Sequence, residues 1–155
     1  MDRDGFYLKI AHALSGCQLV EQQLKLYISE ALELAKECVG QRMVFRMSGE
    51  DYENSSLDRL IEVFSKLTVN SELVAALRRF KEERNFLSHK GIALCLDYEG
   101  DLLLTAAEGY ETRLAKVQFE AERLRAALHS EGRNISVELD FGFLPNGHES
   151  GDRVA

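Results

Sequence analysis

Ile10-Ala11-His12-Ala13-Leu14-Ser15-Gly16-Cys17-Gln18-Leu19-Val20-Glu21-Gln22-Gln23-Leu24, the middle of a run from Phe6 to about Val39, decides the fold. Through this run Ile10, Ala13, Cys17, Val20, Leu24, Tyr27, Ala31 and Leu34 recur in alternating steps of three and four. That rhythm lines one stripe of a single long amphipathic helix, with Ser15-Gly16 as the natural place for a bend. The spacing is that of a bundle seam, so other helices or a second subunit are expected to cover it. Glu21, Gln22, Gln23, Lys25 and Glu33 fall on the remaining face, where solvation is expected.

Outward from this run the helical rhythm breaks between Gly40 and Asn54 and then resumes. Ser55 with Asp58 reads as a capping box for a second helix of about three turns, buried through Leu57, Leu60, Ile61, Phe64 and Leu67. Asn70 or Ser71 caps a third helix, with Glu72 in the first turn where the helix dipole favours an anion. Its apolar arc is Leu73, Leu77, Phe80 and Leu87, and Gly91 stands where a left-handed C-terminal residue would end it.

Beyond Gly91 the period changes. Residues 92–98 and 101–105 flank Glu99-Gly100 and predict a β-hairpin. Thr105 with Glu108 predicts the cap of a fourth helix reaching about Ser130, with a seam of Leu114, Val117, Ala121, Leu124 and Leu128 and a stop at Gly132. From Asn134 to Phe143 apolar and polar residues alternate strictly, which predicts a half-buried strand joining the hairpin. The expected fold is therefore mostly α: a four-helix bundle with a β-hairpin inserted before the last long helix and a C-terminal strand. Residues 1–144 form one domain in this reading, and 145–155 carry too little apolar surface to order themselves.

Composition narrows the function classes. At 155 residues, 45% hydrophobic and 29% charged, the chain has the makeup of an ordinary globular domain. No apolar run approaches the roughly 20 residues that span a bilayer, and no basic and apolar leader opens the sequence, so a cytoplasmic protein without a membrane partner is expected. Cys17, Cys38 and Cys95 lie far apart without a Cys-x-x-Cys pair, and His12, His89, His129 and His148 have no metal-ligand spacing. Neither a disulfide framework, a bound metal nor another cofactor is expected. The net charge of −7 argues against indiscriminate binding of polyanions. Against that acidic background Arg78, Arg79, Lys81, Arg84 and Lys90 form a cationic strip able to select one shaped RNA.

The strip belongs to Arg78-Arg79-Phe80-Lys81-Glu82-Glu83-Arg84-Asn85-Phe86-Leu87-Ser88-His89-Lys90-Gly91. At about 100° per residue, Arg78, Lys81, Arg84, Asn85, Ser88 and His89 fall within an arc of about 140°. Arg84 and His89 are roughly 7 Å apart along the helix axis, a gap suited to a phosphodiester gripped by a guanidinium while an imidazole moves a proton. At this point Arg84-Asn85-Phe86-Leu87-Ser88-His89 resembles the Arg-(four to six residues)-His signature of the HEPN family, including the polar residue after the Arg.

The resemblance implies a metal-independent endoribonuclease of the toxin or antiviral kind, acting as a homodimer with both motifs lining one cleft. Arg84 and His89 are then the catalytic pair, with Asn85 and Ser88 supporting them and Arg78, Lys81 and Lys90 guiding RNA. An antitoxin or other regulatory protein is a further implied partner. In the branch of the family regulated by a nucleotidyltransferase a Tyr stands two residues past the His; here that position is Gly91. The alternative reading is a catalytically inactive HEPN-like helical dimer that binds RNA, a nucleotide or a protein. A third is a bundle scaffold in which Arg84 and His89 only stitch helix ends.

Overall fold

The computed structural model describes residues 2–141, with nothing stated for the side chains of Leu104, Glu138 and Phe141. Among the described residues the chain forms four α-helices: α1 (Arg3–Val39), α2 (Leu57–Leu67), α3 (Ser71–Phe86) and α4 (Leu104–Phe141). A short 3-10 turn (Gly49–Tyr52) precedes α2, and a π-turn (Leu87–Gly91) and a second 3-10 turn (Ala93–Cys95) follow α3. No helix among the described residues is long and apolar enough to cross a membrane.

Of the caps of α1 to α3, that of α3 is one the sequence implies, while α1 begins three residues before Phe6. Asp2 caps α1 by accepting from Gly5 N at 2.9 Å. The cap of α2 is Ser56 rather than Ser55, accepting from Arg59 N at 3.3 Å. Asn70 caps α3, accepting from Leu73 N at 3.0 Å. The tight α2–α3 connection is tied to α4 by Glu131, which accepts from Thr68 Oγ1 at 2.7 Å and from Asn70 Nδ2 at 3.0 Å.

α1 and α4 make the most extensive pairing, and they run parallel. Lys9 pairs with Glu111 near one end, Gly16 abuts Ala121 in the middle, and Ser136 donates to Glu30 at 3.0 Å near the other. A Cβ on Gly16 would stand 3.2 Å from that of Ala121, so Gly16 permits close helix approach. The core is contributed by all four helices: Phe6, Val20, Leu24 and Ile28 from α1, Leu60 and Phe64 from α2, Leu77 and Phe80 from α3, and Leu124 and Leu128 from α4.

Both predicted β elements are corrected. The hairpin over residues 92–105 shrinks to a single antiparallel bridge between Leu96 and Leu102. Ile92–Cys95 coils instead, with Cys95 N donating to Ile92 O; only Asp97 N to Asp101 O and Leu103 N to Cys95 O cross between the two segments, and Asp97 Oδ1 accepts from the amides of Glu99 and Asp101 at the turn. With Leu104 already helical, too few residues remain for two strands, and Thr105 lies inside the helix it was expected to cap.

The strand over Asn134–Phe143 is helical through Phe141; Gly142, Phe143 and the tail from Pro145 lie outside the described residues. Leu128, Gly132, Ile135 and Leu139 also satisfy the steps of four, three and four that extend a helix seam. Gly132 does not stop the helix: it is buried, and a Cβ there would meet the Tyr27 ring at 3.6 Å. Continued cover by α1 decides between two periods that so short a segment fits equally.

Candidate functional site

The motif sits where α3 meets the π-turn, and the helix does not end as expected. Gly91 has no positive φ. It is buried, and a methyl there would collide with the Tyr110 phenol from α4, with Cζ only 2.5 Å away. Glycine is needed at this position for close approach rather than for a left-handed stop. Tyr110 fills that corner beside Phe6 and Phe86, its ring centroid 6.4 Å and 6.1 Å from theirs. Burial pushes its phenol up from the ordinary value.

Arg84 is directed toward α1. Its guanidinium stands 3.0 Å from Oε1 of Glu21 and donates to Asn85 Oδ1 at 3.3 Å, with about a third of the side chain exposed. Glu21 Oε1 is out of solvent and has no aligned hydrogen bond, so the contact is mainly one of charge. One turn back, burial pushes the Cys17 thiol up to about 11, against the lowering pull of Arg84 and with a smaller push from Glu21. The residue missed in sequence was Glu21, read there as solvated. Its position one turn after Cys17, on the edge of the buried stripe, was the available signal.

His89, Ser88 and Lys90 are exposed on the π-turn. In an α-helix a residue five positions on is turned about 140° from the first. A π-turn rotates less per residue, so the 140° of an ideal α-helix does not apply across Leu87–Gly91. Arg84 and Asn85 are half-buried against the bundle, while Ser88, His89 and Lys90 are exposed.

Of the expected RNA-guiding residues Arg78, Lys81 and Lys90, only Lys81 is ion-paired among the described residues. Lys81 donates to Asp58 at 2.6 Å and lies 3.6 Å from Glu82, and the bond to Asp58 raises its proton affinity. Arg78 is exposed beside the same carboxylates and Glu62, in a groove of about 480 Å³ between α2 and α3. On the opposite flank of α3, Arg113 of α4 forks onto Glu83 at 2.8 and 3.2 Å and lies 3.5 Å above the Phe86 ring. This pair was not anticipated from the sequence. Among the described residues no three His, Cys, Asp or Glu side chains converge as a metal site.

No protein-family model, curated protein or solved structure matches the chain.

Proposed function

We propose that this chain is a metal-independent endoribonuclease of the HEPN toxin or defence type, acting as a homodimer. The observation that carries the reading is the exposed imidazole of His89 on a π-turn, five positions after a half-buried Arg84 that Glu21 and Asn85 hold in place. A helix widened to a π-turn departs from the favoured geometry, and such departures concentrate at functional sites.

In this mechanism His89 takes the proton from a ribose 2′-hydroxyl as its oxygen attacks the adjacent phosphorus. The P–O5′ bond breaks, leaving a 2′,3′-cyclic phosphate and a 5′-hydroxyl that is protonated on departure. Arg84 binds the phosphate and offsets the charge that develops at five-coordinate phosphorus. Two-fold symmetry supplies a second His89 as the partner acid. Asn85 orients the guanidinium; Ser88 and Lys90 line the exposed side.

A second reading, an inactive helical dimer that binds RNA, a nucleotide or a protein, is favoured by Glu21, which already satisfies the charge of Arg84. Purified protein incubated with total RNA in excess chelator separates the two. The endoribonuclease reading expects fragments ending in cyclic phosphate, lost in His89→Ala and Arg84→Ala. Intact RNA at high protein concentration, or fragments unchanged in His89→Ala, overturns it.

A further inference from the structure

A second groove, of about 800 Å³, lies between α3 and α4, on the flank of α3 away from Lys81 and Asp58. Phe80 and Val117, both nearly buried, floor it, and Phe119 stands on its edge with 68% of its surface in water. Thr112, Lys116 and Phe119 follow one another at helical steps on α4, opposite Arg79 and Glu83 on α3. Here the two helices run antiparallel. Arg113 meets Glu83 and Phe86 meets Tyr110, and Arg79 is close enough that its charge adds to the hydrogen bond from Arg123 in lowering Glu120.

The charges in this groove are unevenly matched. Glu83 is held by Arg113 and Glu120 by Arg123, at 2.5 and 2.9 Å. Among the described residues Arg79 and Lys116 form no salt bridge, although Arg79 lies near Glu120 and also borders the α2–α3 groove, so two cations without a bonded carboxylate flank an exposed aromatic ring. Cations that follow a backbone, together with a ring on which a base can stack, are the elements of a single-strand binding surface. The groove is bounded on α3 by Glu83, and His89 lies six residues further on, roughly 9 Å along the axis.

We infer that the α3–α4 groove is the track for a single RNA strand leading to His89: Phe119 stacks a base while Arg79 and Lys116 hold the flanking phosphates. This rests on the endoribonuclease reading for its substrate. It shifts the RNA contacts from the side of Arg78 and Lys81, where Asp58, Glu62 and Glu82 gather, to the flank of the same helix that faces α4, with Arg79 bordering both.

The test measures binding apart from cleavage, by fluorescence anisotropy of a labelled single-stranded uridine oligomer in chelator, with every variant built on His89→Ala. Phe119→Ala is expected to weaken binding on the order of 10-fold. Arg79→Ala with Lys116→Ala is expected to reduce the steepness of the salt dependence by about 1.4. Arg125→Ala, on the α1 side of α4, should bind as the parent does. Unchanged affinity in the groove variants, or no binding by the parent, overturns the inference. So does uridine monophosphate competing as well as the strand, since that marks a mononucleotide pocket. Cleavage by the His89-containing protein is scored separately: binding through the groove without cutting removes the enzymatic reading alone, whereas cutting untouched by groove substitutions removes the track alone.

Discussion

Gly91→Ala tests how tightly the motif turn is clamped by α4. The added methyl would overlap the Tyr110 hydroxyl and lie 2.5 Å from Cζ and 3.1 Å from Cε1. The phenol has little room to retreat, because its ring is 8% exposed and wedged between Phe6 and Phe86. Overpacking of this kind costs about 1–3 kcal/mol, and the lack of an escape route places Gly91→Ala at about 2–3. At about 2.1 cal/mol/K per residue, a chain of 155 residues has an unfolding entropy near 0.3 kcal/mol/K, so Tm should fall by about 6–9 °C.

A double-mutant cycle isolates the cause. In a Tyr110→Leu background the clashing atoms are gone, and Gly91→Ala should cost less than about 1 kcal/mol. Urea unfolding followed by far-ultraviolet circular dichroism reads both values. Because His89 rides on the same turn, Gly91→Ala should also lower any RNA cleavage measured well below the melting range. Equal cost of Gly91→Ala in both backgrounds, or no cost in either, refutes the clamp.

Arg84→Ala should lose about 1–3 kcal/mol, since it leaves the desolvated Oε1 of Glu21 without its countercharge, whereas His89→Ala should stay within about 0.5 kcal/mol; comparable losses in the two would contradict the placement of His89. Native thiol labelling should modify the exposed Cys38 quickly and Cys17 and Cys95 only after denaturation, read by mass spectrometry of digests. The raised Cys17 pKa means the unfolded chain ionises this thiol first, so stability should be full below about pH 9 and decline as pH climbs toward 11, by at most on the order of 3 kcal/mol. Cys17→Ala should flatten that part of the denaturation profile. Glu131→Ala, which removes two hydrogen bonds from the α2–α3 turn, should cost about 1–2 kcal/mol in the same unfolding assay.

The helical body was legible because its signals are local and repeated. The α1 seam reads correctly from Ile10 to Tyr27; beyond that, Ile28 and Leu32 are buried while Ala31 and Leu34 are only partly so. An α-helix drifts about 20° per heptad from a strict alternation of three and four, so the buried stripe of so long a helix slides onto its neighbours. Illegible features depended on a distant partner. Alternation over residues 134–141 could not announce that α1 would lie alongside, and Gly91 could not announce Tyr110. The spacing argument for the motif assumed about 100° per residue, and the π-turn over Leu87–Gly91 changes that angle.

The parallel pairing of α1 with α4 also bears on how the molecule is made. Contacts such as Gly16 with Ala121 and Glu30 with Ser136 join residues about a hundred positions apart, far more than is usual for helical bundles, whose rapid folding reflects short-range contacts. During synthesis α2 can cover part of the apolar stripe of α1, as where Tyr27 meets Phe64, but the face that α4 covers must wait for the last third of the chain. Assembly is thus paced by the late arrival of α4, and the nascent protein is most open to aggregation or chaperone capture in that interval.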